Sequence, residues 1–444
     1  MNLLRIVAHK DWGGDCQTLL KLYRSLIRSK LDYGSIVYGA ARKSYISMLD
    51  PIQNQALRLC LGAFRTSPVE SLLVEANEPS LAQRRDQLTV LYALKLASNI
   101  HNPAYEPTFI PQFQVLFNRK PNAIPTFGIR ALKMLQDIHI DHTTIAPFRL
   151  PLVPTWLCHF PVVNFAMQIG SKSTISPEVL KQHFYELLET YGDFVPIYTD
   201  GSKEGDHVAA AMVHRQTSVK SRLPEHSSIF SAEAKAILLA LDFVEDYASN
   251  RFIIFSDSLS CLQAIHSAKW TSPLIREILE KCHLLSLSDK KVHFCWIPSH
   301  VGIPGNERAD AAAKAALQLA ISELRIPHTG YKSFVKLYFS NVWQKHWDDV
   351  AFNKLQPIKP LLGETKLKDV TKRRDEIVLH RARIGHTYLT HGYLLRAEEQ
   401  PQCETCKCSL SVEHILLNCV VFANSRRKYF VVRSLKAFSH HFFL

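Results

Sequence analysis

Hydrophobic and polar positions follow two regimes along this chain. Residues 15–100 repeat with a helical period. In "TLLKLYRSLIRSKL", Leu19, Leu22, Tyr23, Leu26 and Ile27 make one apolar stripe, with Lys21, Arg24 and Arg28 opposite. Ten of the 22 prolines then fall between Pro103 and Pro177, where periodicity is poor, which predicts an irregular connecting stretch. From 195 onward short apolar runs alternate with helical stripes. The pattern predicts strands near 195–200, 207–214, 217–223, 251–257 and 291–298, and helices near 229–248, 258–268, 272–287 and 305–320. Three successive strands with tight connections predict an antiparallel meander, and the later strand–helix–strand run predicts parallel additions. From 331 the chain turns helical again, up to a cysteine cluster at 403–419. Four segments result: a helical region over 1–100, a Pro-rich connection over 101–190, an α/β domain over 191–320, and a helical region over 321–444.

Charge adds a partner to this picture. The 444 residues carry a formal +13, with 47% hydrophobic and 21% charged residues, the balance of a folded chain. Residues 1–194 hold 20 basic and 15 acidic side chains, 195–316 hold 13 and 14, and 317–444 hold 20 and 11. A neutral middle between basic flanks suits a polyanion such as nucleic acid. Six of the ten cysteines are scattered without framework spacing. No signal-like apolar stretch opens the chain and no run of 18 apolar residues occurs, so the expectation is an intracellular, reduced protein with no membrane span, nucleus and cytoplasm left undistinguished.

Candidate chemistry concentrates in the middle. The stretch "VPIYTDGSKEG" ends a buried-looking strand on Asp200, where a lone charge would cost several kcal/mol unless paired or bound to a metal. Asp257 ends the strand "RFIIFSD" in the same way, with Ser258 as a helix cap. Glu233 heads the core-facing stripe of "SAEAKAILLALDFVEDY", sharing a face with Ala236, Ile237, Ala240, Leu241 and Val244. Asp310 is expected in the first helical turn after "GNER", in line with Ala313 and Leu317. Four carboxylates aimed into one small α/β unit repel each other unless cations lie between them, and Mg²⁺ takes such oxygen ligands.

The strings "IYTDGS", "FSAEAKAILLAL", "IIFSDSLSCLQAI" and "WIPSHVGIPGNERADAAAK" resemble the ribonuclease H family in order, spacing and context over about 125 residues. The resemblance implies a five-stranded mixed sheet flanked by helices, with mainly helical N- and C-terminal regions around it. It implies an endonuclease that hydrolyses the RNA strand of RNA–DNA hybrids with two Mg²⁺ or Mn²⁺ ions, leaving a 3′-hydroxyl and a 5′-phosphate. Carried over, the metal ligands are Asp200, Glu233, Asp257 and Asp310, and His300 assists proton transfer or product release. Gly201 is expected to let backbone approach the nucleic acid, with Ser202 and Asn306 as substrate contacts, and Trp296 reads as core. Only "AKWTS" lies between Ser267 and Pro273, so the basic handle of some family members is absent.

Around residues 17–100, "SKLDYGSIVYGAARKSYISMLDPIQNQALRLCLGAFRTSP" resembles the end of a non-LTR retrotransposon reverse transcriptase, without the paired-aspartate polymerase strand. "CETCKCSLSVEHILLNC" spaces Cys403, Cys406, His414 and Cys419 as C-x2-C-x7-H-x4-C, a donor set that fills a tetrahedral Zn²⁺ shell, with Cys408 able to replace one ligand. It resembles the zinc-knuckle-like tail of Jockey-type polyproteins, although the second gap is longer than the usual four. The alternative readings are reduced core thiols at the cluster and, for the chain, a non-catalytic nucleic-acid-binding remnant or a DDE-type recombinase on a related fold.

Overall fold

Strand alternation and helical stripes fold as read, with additions in the Pro-rich stretch. The computed structural model describes residues 1–112, 114–120, 123–169, 175–322, 325–365 and 372–429. They divide into two compact units, one of Leu91–Ile110 with Leu135–Val335, the other of Met1–Val90, Pro111–Met134 and Lys336–Leu444.

The first unit holds a six-stranded mixed sheet. Its strands are β1 (Val162–Asn164), β2 (Val195–Glu204), β3 (His207–His214), β4 (Thr217–Leu223), β5 (Arg251–Ser256) and β6 (Lys291–Trp296), in the order β1-β6-β5-β2-β3-β4. β2, β3 and β4 form the antiparallel meander, while β2–β5, β5–β6 and β6–β1 pair in parallel. The helices are α1 (Pro177–Thr190), α2 (Ile229–Asp246), α3 (Leu259–His266), α4 (Pro273–Leu287) and α5 (Pro304–Ala316).

Both faces of the sheet are covered, which is why "HVAAAMVH" of β3 is buried along almost its whole length. On one face Ile197, Met212 and Ile254 pack with Ile237 and Leu241 of α2 and with α3 and α4. On the other, Tyr198, Val213 and Phe255 pack with Leu180 and Phe184 of α1 and with Ala309 and Ala313 of α5. Phe184 meets Phe255 edge-on at 5.3 Å. Truncating such a ring to alanine costs about 3–5 kcal/mol. The alanines of α5 let that helix lie close, and a Cβ on Gly305 would stand 2.3 Å from the Tyr198 ring.

Three features differ from the sequence reading. A sixth strand, β1, extends the expected five by three residues paired to β6 (Val162 with His293, Asn164 with Cys295). Helix α1 lies inside the Pro-rich stretch, where Pro177 takes the first turn and the Ser176 hydroxyl accepts the Val179 N–H. Because α5 begins at Pro304, Asp310 sits in its second turn, not its first.

In the other unit the first and last parts of the chain share one core, with Leu19, Tyr23, Leu57, Leu61 and Leu72 packed with Trp343 and Trp347. Buried Arg373 donates to the Leu59 and Cys60 carbonyls at the end of the Asp50–Leu61 helix, and its last turn is thereby satisfied. Among the described residues no helix is long and apolar enough to cross a membrane.

Candidate active site

Asp200 falls inside β2 opposite Ala211, one residue past the β2–β5 pairing that ends at Thr199 and Ser256. The parallel register therefore delivers Asp200 and Asp257 side by side at the same end of adjacent strands. Glu233 comes from the first turns of α2. Its approach depends on Gly201, where a Cβ would lie 2.7 Å from the Glu233 backbone nitrogen. The glycine thereby serves packing within the chain.

Each of Asp200, Glu233 and Asp257 offers a carboxylate oxygen, and these lie within 4.8 Å of one another. Asp200 is 6% exposed and Glu233 9%. Burial, reinforced by the charges of Asp257 and Asp310, pushes the Asp200 carboxyl up to about 7. Burial also drives Glu233 well above the ordinary range, with Asp200 and Asp257 adding to it. Glu233 Oε2 has no hydrogen-bond partner among the described residues. Crowded, desolvated carboxylates that raise one another's pKa suit a hard divalent cation.

Asp310 stands slightly apart. Its carboxylate, with His300 and Glu307, forms a second group within 4.8 Å, and Lys314 Nζ donates to it at 2.7 Å. Its charge still reaches Asp200. His300 is exposed on the loop before α5, with a left-handed backbone (φ 55°).

Two supporting contacts were not legible in the sequence. Trp296 Nε1 donates to the Asp257 carbonyl at 3.1 Å, so this core residue also fixes the strand end. Asn306, expected to touch substrate, is 2% exposed and directs its Nδ2 to Asp257 Oδ2 at 3.4 Å. Ser202 stays on β2, half-buried opposite Ala209. Ser258 takes the cap position of α3 without a side-chain cap bond.

In the other unit Cys403, Cys406, His414 and Cys419 also converge, one donor atom from each lying within 4.8 Å of the rest. Cys403 and Cys419 sulfurs are 3.7 Å apart. The Cys406 backbone N–H and His414 pull the Cys403 thiol down to about 6, toward the thiolate that metals bind. Exposed Cys408 lies outside the four, its sulfur 3.4 Å from His414 Nδ1. Three thiols and an imidazole at this spacing fit tetrahedral Zn²⁺.

Comparison with known proteins places a family on the first of these sites. The family model described as RNase H matches residues 193–318, the stretch that carries the carboxylates. Pol polyproteins of equine infectious anemia virus are similar to this chain: isolates 1369 and CL22 are 31% identical over 209 residues, and strain Wyoming is 30% identical. The alignment spans 43% of this chain and 17% of each polyprotein. Among solved structures, RNase H1 from the halophilic archaeon Halobacterium salinarum aligns at 22% identity and a TM-score of 0.23, covering 28% of this chain and 98% of that one. LC11-RNase H1 in complex with an RNA/DNA hybrid aligns at 18% identity and 0.23, over 28% and 95%.

Proposed function

From the RNase H domain at residues 193–318, we propose that this chain is an endonuclease hydrolysing the RNA strand of RNA–DNA hybrids, derived from a retroelement polyprotein. The observation that carries the reading is the convergence of Asp200, Glu233 and Asp257, two of them buried and held toward protonation by burial and by like-charged neighbours. These three carboxylates, with Asp310 beside them, are the residues that hold two Mg²⁺ or Mn²⁺ ions in this proposal. Bound there, divalent ions supply the charge that favours attack of water on a phosphodiester and stabilises the leaving oxygen.

The chain's own residues then have separate tasks. Asn306 and Trp296 keep Asp257 in place, through its carboxylate and its carbonyl respectively. Gly201 keeps Glu233 against β2. His300, exposed at the rim and close to Asp310 and Glu307, can exchange a proton with solvent and with the departing product. Ser202, half-buried toward the open end of β2, is the residue proposed to hydrogen-bond the hybrid. The four-residue Cys/His cluster takes one structural Zn²⁺, and metal analysis of the intact chain and of Cys406→Ser tests it: one ion against none is expected.

The deciding experiment is cleavage of an end-labelled RNA–DNA hybrid by the full chain with Mg²⁺ or Mn²⁺. RNA-strand products bearing 3′-hydroxyl ends, absent with chelator, support the proposal. Binding of hybrid without cleavage under any of these conditions would instead identify a non-catalytic remnant, and strand transfer on a DNA end a recombinase.

A further inference from the structure

A cavity of about 530 Å³ lies in the sheet-bearing unit, lined by the end of the Leu81–Ala97 helix, the 146–148 strap, the start of α4 and residues 328–329. None of its lining residues is one of the clustered carboxylates. Its size is that of a small-ligand site. Its walls combine aromatic surface (Tyr92, Phe148 and Trp270) with two cations, Lys95 and Arg276, and include no Asp or Glu.

Arg276 is the anomaly. The residue is 4% exposed, yet among the described residues its side chain makes no hydrogen bond and no ion pair, its Nε is buried without an acceptor, and of acidic groups only the more distant charges of Glu280 and Glu277 act on it. Its guanidinium lies 5.7 Å from the centre of the Phe148 ring. Glu280, one turn further along α4, is already engaged by Arg149 at 3.3 Å and by the Leu152 N–H at 3.0 Å. A guanidinium with no acidic partner at ion-pair distance favours an incoming anion, which its free Nη groups would hold by charge-assisted hydrogen bonds.

The backbone points the same way. α4 is 15 residues long, and no side chain caps its N-terminus, which opens beside Trp270 and Thr271 at the cavity wall. The helix dipole there favours an anion. The carbonyls at the end of the facing helix, which would repel one, are occupied: Ser98 Oγ donates to the Lys95 carbonyl at 2.7 Å, and the Asn99 N–H to that of Leu96 at 2.9 Å.

We infer that this cavity binds a nucleotide, its phosphate held between Arg276, Lys95 and the N-terminus of α4 and its base against Trp270 and Phe148. The chemistry is that of a phosphate ester joined to a flat aromatic ring, whether a free nucleotide or one unit of a strand. The site lies outside the carboxylate cluster, so its occupancy stands or falls apart from hybrid cleavage.

Calorimetric titration of the full chain with adenosine 5′-monophosphate, inorganic phosphate, adenosine and a 5′-phosphorylated single-stranded DNA tests this. We expect one monophosphate bound per chain, competition by inorganic phosphate, and adenosine at least about tenfold weaker, since it lacks the charged partner. Arg276→Met should weaken binding at least about tenfold, and Arg276→Lys should restore part of it. Exposed Lys95→Met, which leaves the core untouched, should weaken it by a smaller factor. Tighter binding of the phosphorylated strand than of the monophosphate identifies the source as a nucleic-acid chain, and the reverse order a free nucleotide. Equal binding of adenosine and its monophosphate, no binding of either, or unchanged affinity in Lys95→Met overturns the inference. Asp200→Asn should bind the monophosphate as wild type does, which separates this site from the cleavage site.

Discussion

Two buried carboxylate sites, one in each unit, show opposite treatment of the same charge. Glu75 is fully buried, and its oxygens meet His380 Nδ1 at 2.8 Å and Arg383 Nε at 2.7 Å. Burial alone would raise its pKa, but His380 and Arg383 hold it well below the usual carboxylate range. Asp200 and Glu233 make no ion pair among the described residues, and burial with like-charged neighbours pushes both upward. A carboxylate that brings its own cations is part of the framework. One without them is destabilised until something positive arrives, and that is the physical mark of a site. The comparison also bears on the basic C-terminal region: Arg373 and Arg383 are buried and serve the fold, and Arg426 donates to the Ile415 and Cys419 carbonyls. Part of that region's positive charge is therefore spent inside the protein, not offered to phosphates.

The largest test of the comparison is Asp200→Asn. It removes a ligand from the proposed ion site and should lower hybrid cleavage by at least about 1000-fold, on the order of 4 kcal/mol of barrier. The fold should be no less stable, because an unpaired buried charge goes with it. Near-wild-type turnover by the purified variant, or a large loss of stability, would put Asp200 in the framework class. Glu75→Gln should do the reverse. It strands Arg383 and His380 in the core and should cost about 3–5 kcal/mol of stability, read from urea unfolding, with hybrid cleavage by the folded fraction unchanged. A neutral result would mean the Glu75 ion pairs contribute little.

Much of the sheet-bearing unit was readable because its signals are local. Asp200 and Asp257 each follow an unbroken apolar run, and Glu233 breaks an otherwise apolar stripe, so strand ends and helix face were both visible. What escaped was set by distant partners. β1 is three residues of "VVN" that become a strand only because β6 offers an edge. α1 did announce itself through Ser176-Pro177 and the spacing of Leu180 and Phe184, a signal outweighed by the surrounding prolines. Asn306 was singled out by its motif, but its turn toward Asp257 depends on how α5 seats against Tyr198 through Gly305. Nothing in the sequence states that Glu75 pairs with His380, 305 residues away.

Acid titration sharpens the contrast, because the two sites should bend stability in opposite directions. Asp200 titrates at about 7 in the folded chain against an ordinary 3.8. Between those values the folded form holds a proton that the unfolded chain has lost, so its contribution is full below about 4 and declines as pH rises to about 7. Glu75, shifted down, contributes stability above its ordinary range that is lost as pH falls. In chelator, wild type should therefore lose on the order of 2–4 kcal/mol relative to Asp200→Asn between pH 4 and 7, and excess Mg²⁺ should cancel the trend. Parallel curves for the two proteins would contradict the raised Asp200 value.

His300 belongs to neither class, being exposed and, in the proposal, not one of the residues that hold an ion. His300→Ala should slow cleavage by about tenfold to a hundredfold, at or below the range for a positioned acid or base, since water can take its place. A loss equal to that of Asp200→Asn would move it among the ion-holding residues.

The smallest expected effect probes the one place where the two patterns meet. Asp310 has a cation, Lys314, at 2.7 Å, but the lysine side chain is 60% exposed and the pair sits at the rim. The hydrogen bond from Lys314 to Asp310 raises the lysine's pKa, so the lysine stays charged at neutral pH. An exposed pair of this kind contributes little, weak enough for a divalent ion to displace. If Asp310 turns from Lys314 to an ion during catalysis, Lys314→Met should lower the Mg²⁺ concentration needed for half-maximal cleavage by no more than about fivefold. Stability should scarcely change. Titration of cleavage rate against Mg²⁺ for wild type and Lys314→Met decides the matter. An unchanged midpoint would leave Asp310 paired with its lysine throughout, a framework acid at the edge of a three-carboxylate site.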